Sequence, residues 1–107
     1  MSIDQDQQLW AAIASAIEAR LNALRELPIT ELLALPEASS EQASLLTTKV
    51  SFTTFKESLP GGATLIVVQG SIPVLFGLGW RGSERGLVLD DTGIIRDATQ
   101  QELSLVL

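Results

Sequence analysis

The sequence predicts an α+β domain, with an N-terminal amphipathic helix and a short second helix packed on a mainly antiparallel sheet of about five strands, and a short C-terminal helix. Three observations carry this reading. Apolar residues recur every three or four positions near the N-terminus, the period falls to two from Leu45, and clusters of Pro, Gly and Asp cut the later region into short runs. A chain of 107 residues is near the commonest size for one domain, and one of this length buries roughly 65% of the surface its unfolded form exposes. Residues 1–107 are therefore read as a single domain, with a helical arm at 1–36, a linker at 37–44, and the sheet and terminal helix at 45–107.

In the arm, Trp10, Ile13, Ile17, Leu21 and Leu24 form one stripe, while Ala11, Ser15, Glu18, Asn22 and Arg25 lie opposite. Ser2 with Gln5 fits a capping box, and Asp4 and Asp6 lie in the first turn, where the helix dipole favours negative charge. Pro28 ends this helix. Thr30 caps a second, ELLAL, which Pro36 stops. Glu37 to Ser44, EASSEQAS, is small and polar without apolar periodicity, so it reads as a linker or a single helical turn.

From Leu45 the Thr, Val, Ile and Phe content suits strands. Leu46, Val50 and Phe52 share one face, and Lys49, Ser51, Thr53 and Glu57 the other, with Phe55 interrupting the alternation. Leu59 to Gly62 reads as a turn leading into a nearly continuous apolar strand, Ala63 to Gln69, of the kind found at the centre of a sheet. Gly70 to Pro73 reads as a break and Val74 to Leu78 as a third strand. Gly86 to Asp90 and Ile94 to Arg96 flank the turn DDTG, where Gly93 supplies the positive φ, and Thr99 with Glu102 makes a capping box for the final helix, QQELSLVL.

Composition narrows the chemistry. Hydrophobic residues make up 46% and charged residues 19%, a balance that supports a packed core. The net charge of −6 repels nucleic acid and anionic lipid at long range, so neither is an expected partner. The acidity belongs mainly to residues 1–44, with seven acidic and two basic residues against six and five in 45–107. Cysteine and histidine are absent, which removes disulfides, thiolate metal sites, the familiar zinc sites and every Ser-His-Asp or Cys-His arrangement. Asp90 and Asp91 are the only tight acidic pair, and Asp is a favoured turn residue, so no metal, cofactor or catalytic residue is assigned.

MSIDQDQQLW lacks a basic segment before an apolar run, and the cytoplasm is the expected location. Ser58 to Trp80 holds 23 residues without a charge, long enough to span a bilayer, but its Pro and Gly residues divide it into strand-length pieces. Membrane insertion is not expected.

The stretch FGLGWRGSERG places Gly77, Gly79 and Gly82 in the spacing of a dinucleotide-binding loop. Such a loop must leave a strand and open a helix. Val74 to Phe76 can supply the strand, and Asp97 lies 20 residues beyond Gly77, where a ribose-binding carboxylate would sit. The chain after Gly82 runs in short, β-like pieces, and only 25 residues remain. Two readings survive. Either the glycines serve a turn or a close backbone approach, or Gly79, Trp80, Arg81, Gly82, Ser83 and Arg85 form an anion-binding loop, with Glu84 opposing the attraction. The leading functional expectation is a non-enzymatic module that binds a protein partner or forms a homo-oligomer. The alternative is a small-anion or small-molecule binding domain, sensor or enzyme, built on the Trp80 to Arg85 loop.

Overall fold

The computed structural model describes residues 3–74 and 79–104. Helices α1 (Ile3–Arg25) and α2 (Ile29–Leu33) precede five strands, β1 (Ala38–Leu45), β2 (Thr48–Ser58), β3 (Thr64–Val74), β4 (Gly79–Leu89) and β5 (Ile95–Asp97), and the last element is helix α3 (Gln100–Leu103). The sheet order is β1-β2-β3-β4-β5, and every neighbouring pair is antiparallel. Each strand thus lies beside its neighbour in the chain, a meander in an α+β arrangement.

Helix α1 covers one face. Leu9, Ile13, Ile17 and Leu21 are buried against Val50, Phe52, Val68, Ile72 and Leu87, each full burial contributing about 1.5–3 kcal/mol. Trp10, read as the start of this stripe, is half-buried at its margin, and Leu9 takes the core position one residue earlier. Leu32 of α2 extends the layer over Ile66 and Leu89. Among the described residues the other face is covered at one end, where Leu103 of α3 meets Leu65, Val67 and Val88, with Phe55, Leu59, Ala63 and Ala98 around them. This two-sided burial explains two features of the sequence. Phe55 breaks the alternation because its end of β2 is covered on that side too, and Leu65 to Val68 run continuously apolar because successive residues enter opposite cores.

Several expectations are corrected. The segment read as a linker at 37–44 is almost entirely β1, paired with β2 from Ala38↔Phe55 to Leu45↔Thr48. Its Ser, Gln, Ala and Glu residues have little strand propensity, and the pairing along β2 overrides that weakness. Leu46, placed with Val50 and Phe52, instead shares with Thr47 the two-residue turn between β1 and β2, at φ of 48° and 68°. Positive φ at both central positions is the geometry that matches strand twist, but Asn-Gly normally supplies it.

The Gly70 to Pro73 break does not occur either: β3 runs unbroken through it, and a Cβ on Gly70 would stand 2.8 Å from Ile13 Cγ2 and 3.1 Å from Phe52 Cε1. The glycine serves a close helix approach. Val74 ends β3 rather than opening a third strand, and residues 75–78 lie outside the described residues. Finally, Gly79 to Arg85 is the first part of strand β4 rather than a loop.

Both later hairpins form where the sequence places them. A 3-10 turn at Pro60–Gly62 joins β2 to β3, and Gly93, at φ 90°, closes the turn before β5. The Thr99–Glu102 capping box is present, whereas Ser2 of the N-terminal box and residues 105–107 of the terminal helix lie outside the described residues. Among the described residues no helix is long and apolar enough to cross a membrane.

Candidate functional site

Strand register sorts the sheet's side chains into cross-strand rows. On the face away from α1, one row runs Ser40, Thr53, Gln69, Glu84 and the next Gln42, Ser51, Ser71, Gly82. Among the described residues α3 reaches these rows only near Glu84, which lines a cleft with Gln100 and Leu103. The result is a shallow groove of about 560 Å³ lined by Ser40, Gln42, Ser51, Thr53, Gln69, Ser71 and Gly82, with Glu41 at its margin. Ser40 and Thr53 share a hydrogen bond of 3.0 Å between their hydroxyl oxygens. Hydroxyls and amides dominate the lining, so it can donate and accept hydrogen bonds without fixing a charge. The polar half of the β2 alternation, Ser51 and Thr53, was legible in the sequence. Ser40 and Gln42 were hidden in the presumed linker.

Glu84 ends one of these rows. Its Oε2 is buried and without a hydrogen-bond partner. Burial pushes its carboxyl above the ordinary range, because desolvation disfavours the charged form.

The proposed anion-binding residues are divided by the strand that carries them. Arg81, Ser83 and Arg85 alternate with Gly82 and Glu84, so the two sets take opposite faces. The arginines meet α1: Arg85 Nη1 lies 3.0 Å from Glu18 Oε2, and the Arg81 guanidinium stands 4.8 Å from the centre of the Trp10 ring. Gly79 and Trp80 pair with Val74 and Pro73 in the backbone register, and the Trp80 side chain lies outside the described residues. An anion nest needs successive N–H groups that converge, whereas the extended β4 backbone sends them alternately to opposite sides.

Helix α1 is fastened across the sheet by further ion pairs. Arg20 reaches Glu41 of β1 at 2.7 Å and stacks on Phe52, with its guanidinium 3.9 Å from the ring centre. Arg25 reaches Asp97 of β5 at 2.6 Å and Glu18 at 3.2 Å. Asp90 has a local role: its Oδ1 accepts hydrogen bonds from the Thr92 hydroxyl and from the Thr92 and Ile94 N–H groups. The Thr92 hydroxyl bond first, then the Ile94 N–H, holds its carboxyl below the usual range. Among the described residues no three His, Cys, Asp or Glu side chains gather as a metal site.

The sheet ends in two edges of different character. Beyond Gly86 toward Gly79, β4 has no described strand on its outer side, because β5 pairs only with Leu87 to Leu89. That edge carries Arg81, Glu84, Arg85 and two glycines, charges and weak strand formers of the kind that discourage pairing. The β1 edge differs. Its pairing with β2 is continuous over eight residues with no bulge, it contains no Pro or Lys, and its one charge, Glu41, is engaged by Arg20. Glu37 accepts a hydrogen bond from the Lys56 N–H, which fixes the phase of the ladder. Ser39, Glu41, Ala43 and Leu45 therefore turn their backbone groups toward β2, and Ala38, Ser40, Gln42 and Ser44 turn theirs outward.

Comparison with protein-family models, with curated proteins and with solved structures finds no match to this chain.

Proposed function

We propose that the chain is a non-enzymatic module that self-associates by adding a strand at the β1 edge. One observation carries the reading: β1 presents the outward N–H and C=O groups of Ala38, Ser40, Gln42 and Ser44 along an unbroken strand that lacks the usual protections. Main-chain hydrogen bonds to an added strand satisfy such groups without further side-chain machinery.

Leu65, Ile66, Val67, Val68 and Ile72 of the charge-free stretch Ser58 to Trp80 are buried within the fold, and among the described residues the exposed large hydrophobics, Ile29, Leu33, Leu46 and Ile94, lie outside that stretch. Strand addition does not depend on it.

The test is amide hydrogen exchange of the protein alone, read residue by residue at low and high concentration. Exchange at Ser40, Gln42 and Ser44 slows with concentration when a strand occupies the edge, while the amides of Ser39, Glu41 and Ala43, already directed at β2, change less. Equal exchange of the outward amides at all concentrations contradicts the reading.

A second reading is supported by the groove. Its hydroxyl and amide lining suits a small neutral hydrogen-bonding molecule better than the anion expected from Arg81 and Arg85.

A further inference from the structure

The register in which a second copy meets the β1 edge follows from symmetry and charge, and this step rests on the self-association just described. We infer that a second copy of the chain pairs β1 with β1 antiparallel about a two-fold axis through Gln42.

In a symmetric antiparallel pair the two residue numbers at each position sum to a constant. The outward backbone groups belong to even-numbered residues, so hydrogen-bonded pairs need an even sum, and two such registers pair seven residues of the eight-residue strand Ala38–Leu45, one centred on Glu41 and one on Gln42. Centring on Glu41 sets the Arg20–Glu41 pairs of the two copies directly opposite at a non-hydrogen-bonded position, where Cα atoms approach to about 4.5 Å and like charges meet. Centring on Gln42 faces Glu41 with Ala43, Ser40 with Ser44, and Gln42 with itself, so no like charges meet. It also sets Leu46, 57% exposed on its own chain, beside Ala38 of the second copy. The association does not rely on charge attraction, since the chain carries −6 and copies repel at long range.

The register has a consequence for the groove. Ser40 and Gln42 lie at its β1 side and also carry the outward backbone groups. Pairing about Gln42 therefore joins two grooves across the axis into one polar surface on a ten-stranded sheet, with Gln42 from each copy at its centre.

Because the chain has no cysteine, a single introduced thiol reports the register. At a hydrogen-bonded pair the Cα atoms stand about 5.5 Å apart, within the span of a disulfide. Two full-length variants, Gln42→Cys and Ser15→Cys, are oxidised mildly and run on a non-reducing gel, with circular dichroism to confirm folding and sedimentation to report assembly under reducing conditions. Ser15, exposed on α1, gives the background of random collision. The inference predicts efficient cross-linking of Gln42→Cys and background levels for Ser15→Cys. A Gln42→Cys dimer that cross-links no more than Ser15→Cys overturns the register, and monomers throughout overturn self-association itself.

Discussion

Gly70 lies beneath Ile13, so close that a methyl group on the glycine would stand 2.8 Å from Ile13 Cγ2. This contact sets how near α1 can approach β3, and through it the depth of the main core. Gly70→Ala is expected to destabilise by about 1–3 kcal/mol in urea unfolding, as overpacked cores do. Combining it with Ile13→Ala, which removes the Cγ2 that the new methyl would meet, should cost less than the two single changes added together. Strict additivity would show that the two residues do not oppose each other.

The β1–β2 turn offers the opposite kind of change. Leu46 and Thr47 hold φ of 48° and 68°, a conformation disfavoured for branched side chains. Replacing the pair with Asn-Gly should raise stability by about 1–2 kcal/mol, measured by urea unfolding at low protein concentration. A loss of stability would mean that the native side chains make contacts that outweigh their backbone cost.

Acid should loosen the α3 end. Glu102 is held down to about 2, first by Arg96, which it meets at 2.6 Å, and then by the Thr99 N–H. The folded carboxylate thus binds its proton well below the ordinary value of 4.5. The stability it contributes is present above that ordinary value and is lost as pH falls toward 2. Urea midpoints measured from pH 5.5 to pH 2.5 should fall in the wild type and fall less steeply in Glu102→Gln. Parallel slopes in the two proteins would contradict the Arg96–Glu102 assignment.

Glu84 works in the reverse direction. Its folded carboxyl binds a proton more readily than the unfolded one, so its contribution favours folding at low pH and is lost as pH rises through the raised value. Glu84→Gln should therefore raise the melting temperature at pH 7, with a gain that shrinks at pH 4. A lower melting temperature at pH 7 would indicate a stabilising partner for the carboxylate.

Much of the fold was legible because local chemistry and tertiary packing agree there. The spacing of Ile13, Ile17 and Leu21, the Gly93 turn and the Thr99–Glu102 box each announce an element that packing then uses. The failures fall where the two disagree. Ser39 to Ser44 has the composition of a linker and becomes a strand because β2 offers it a full ladder. Leu46-Thr47 contains no turn former and turns nevertheless. Gly70 and Gly82 resemble punctuation but lie inside strands, Gly70 because α1 comes close. The groove was half visible, in the polar alternation of β2. Its β1 side could not be read without the pairing, and the strand that carries Arg81, Ser83 and Arg85 on one face and Gly82 and Glu84 on the other was read as a loop.

The central claim, that β1 is the surface through which this chain associates, is tested most directly by sedimentation equilibrium of the wild type and of Gln42→Pro across low to high micromolar concentration. Proline at 42 removes an N–H that points away from β2 and leaves the β1–β2 ladder bonds in place, so the monomer should keep its fold and circular dichroism. The account predicts a wild type that passes from monomer to dimer and a proline variant that remains monomeric. A wild type that is monomeric throughout, or a proline variant that dimerises equally well, would contradict it.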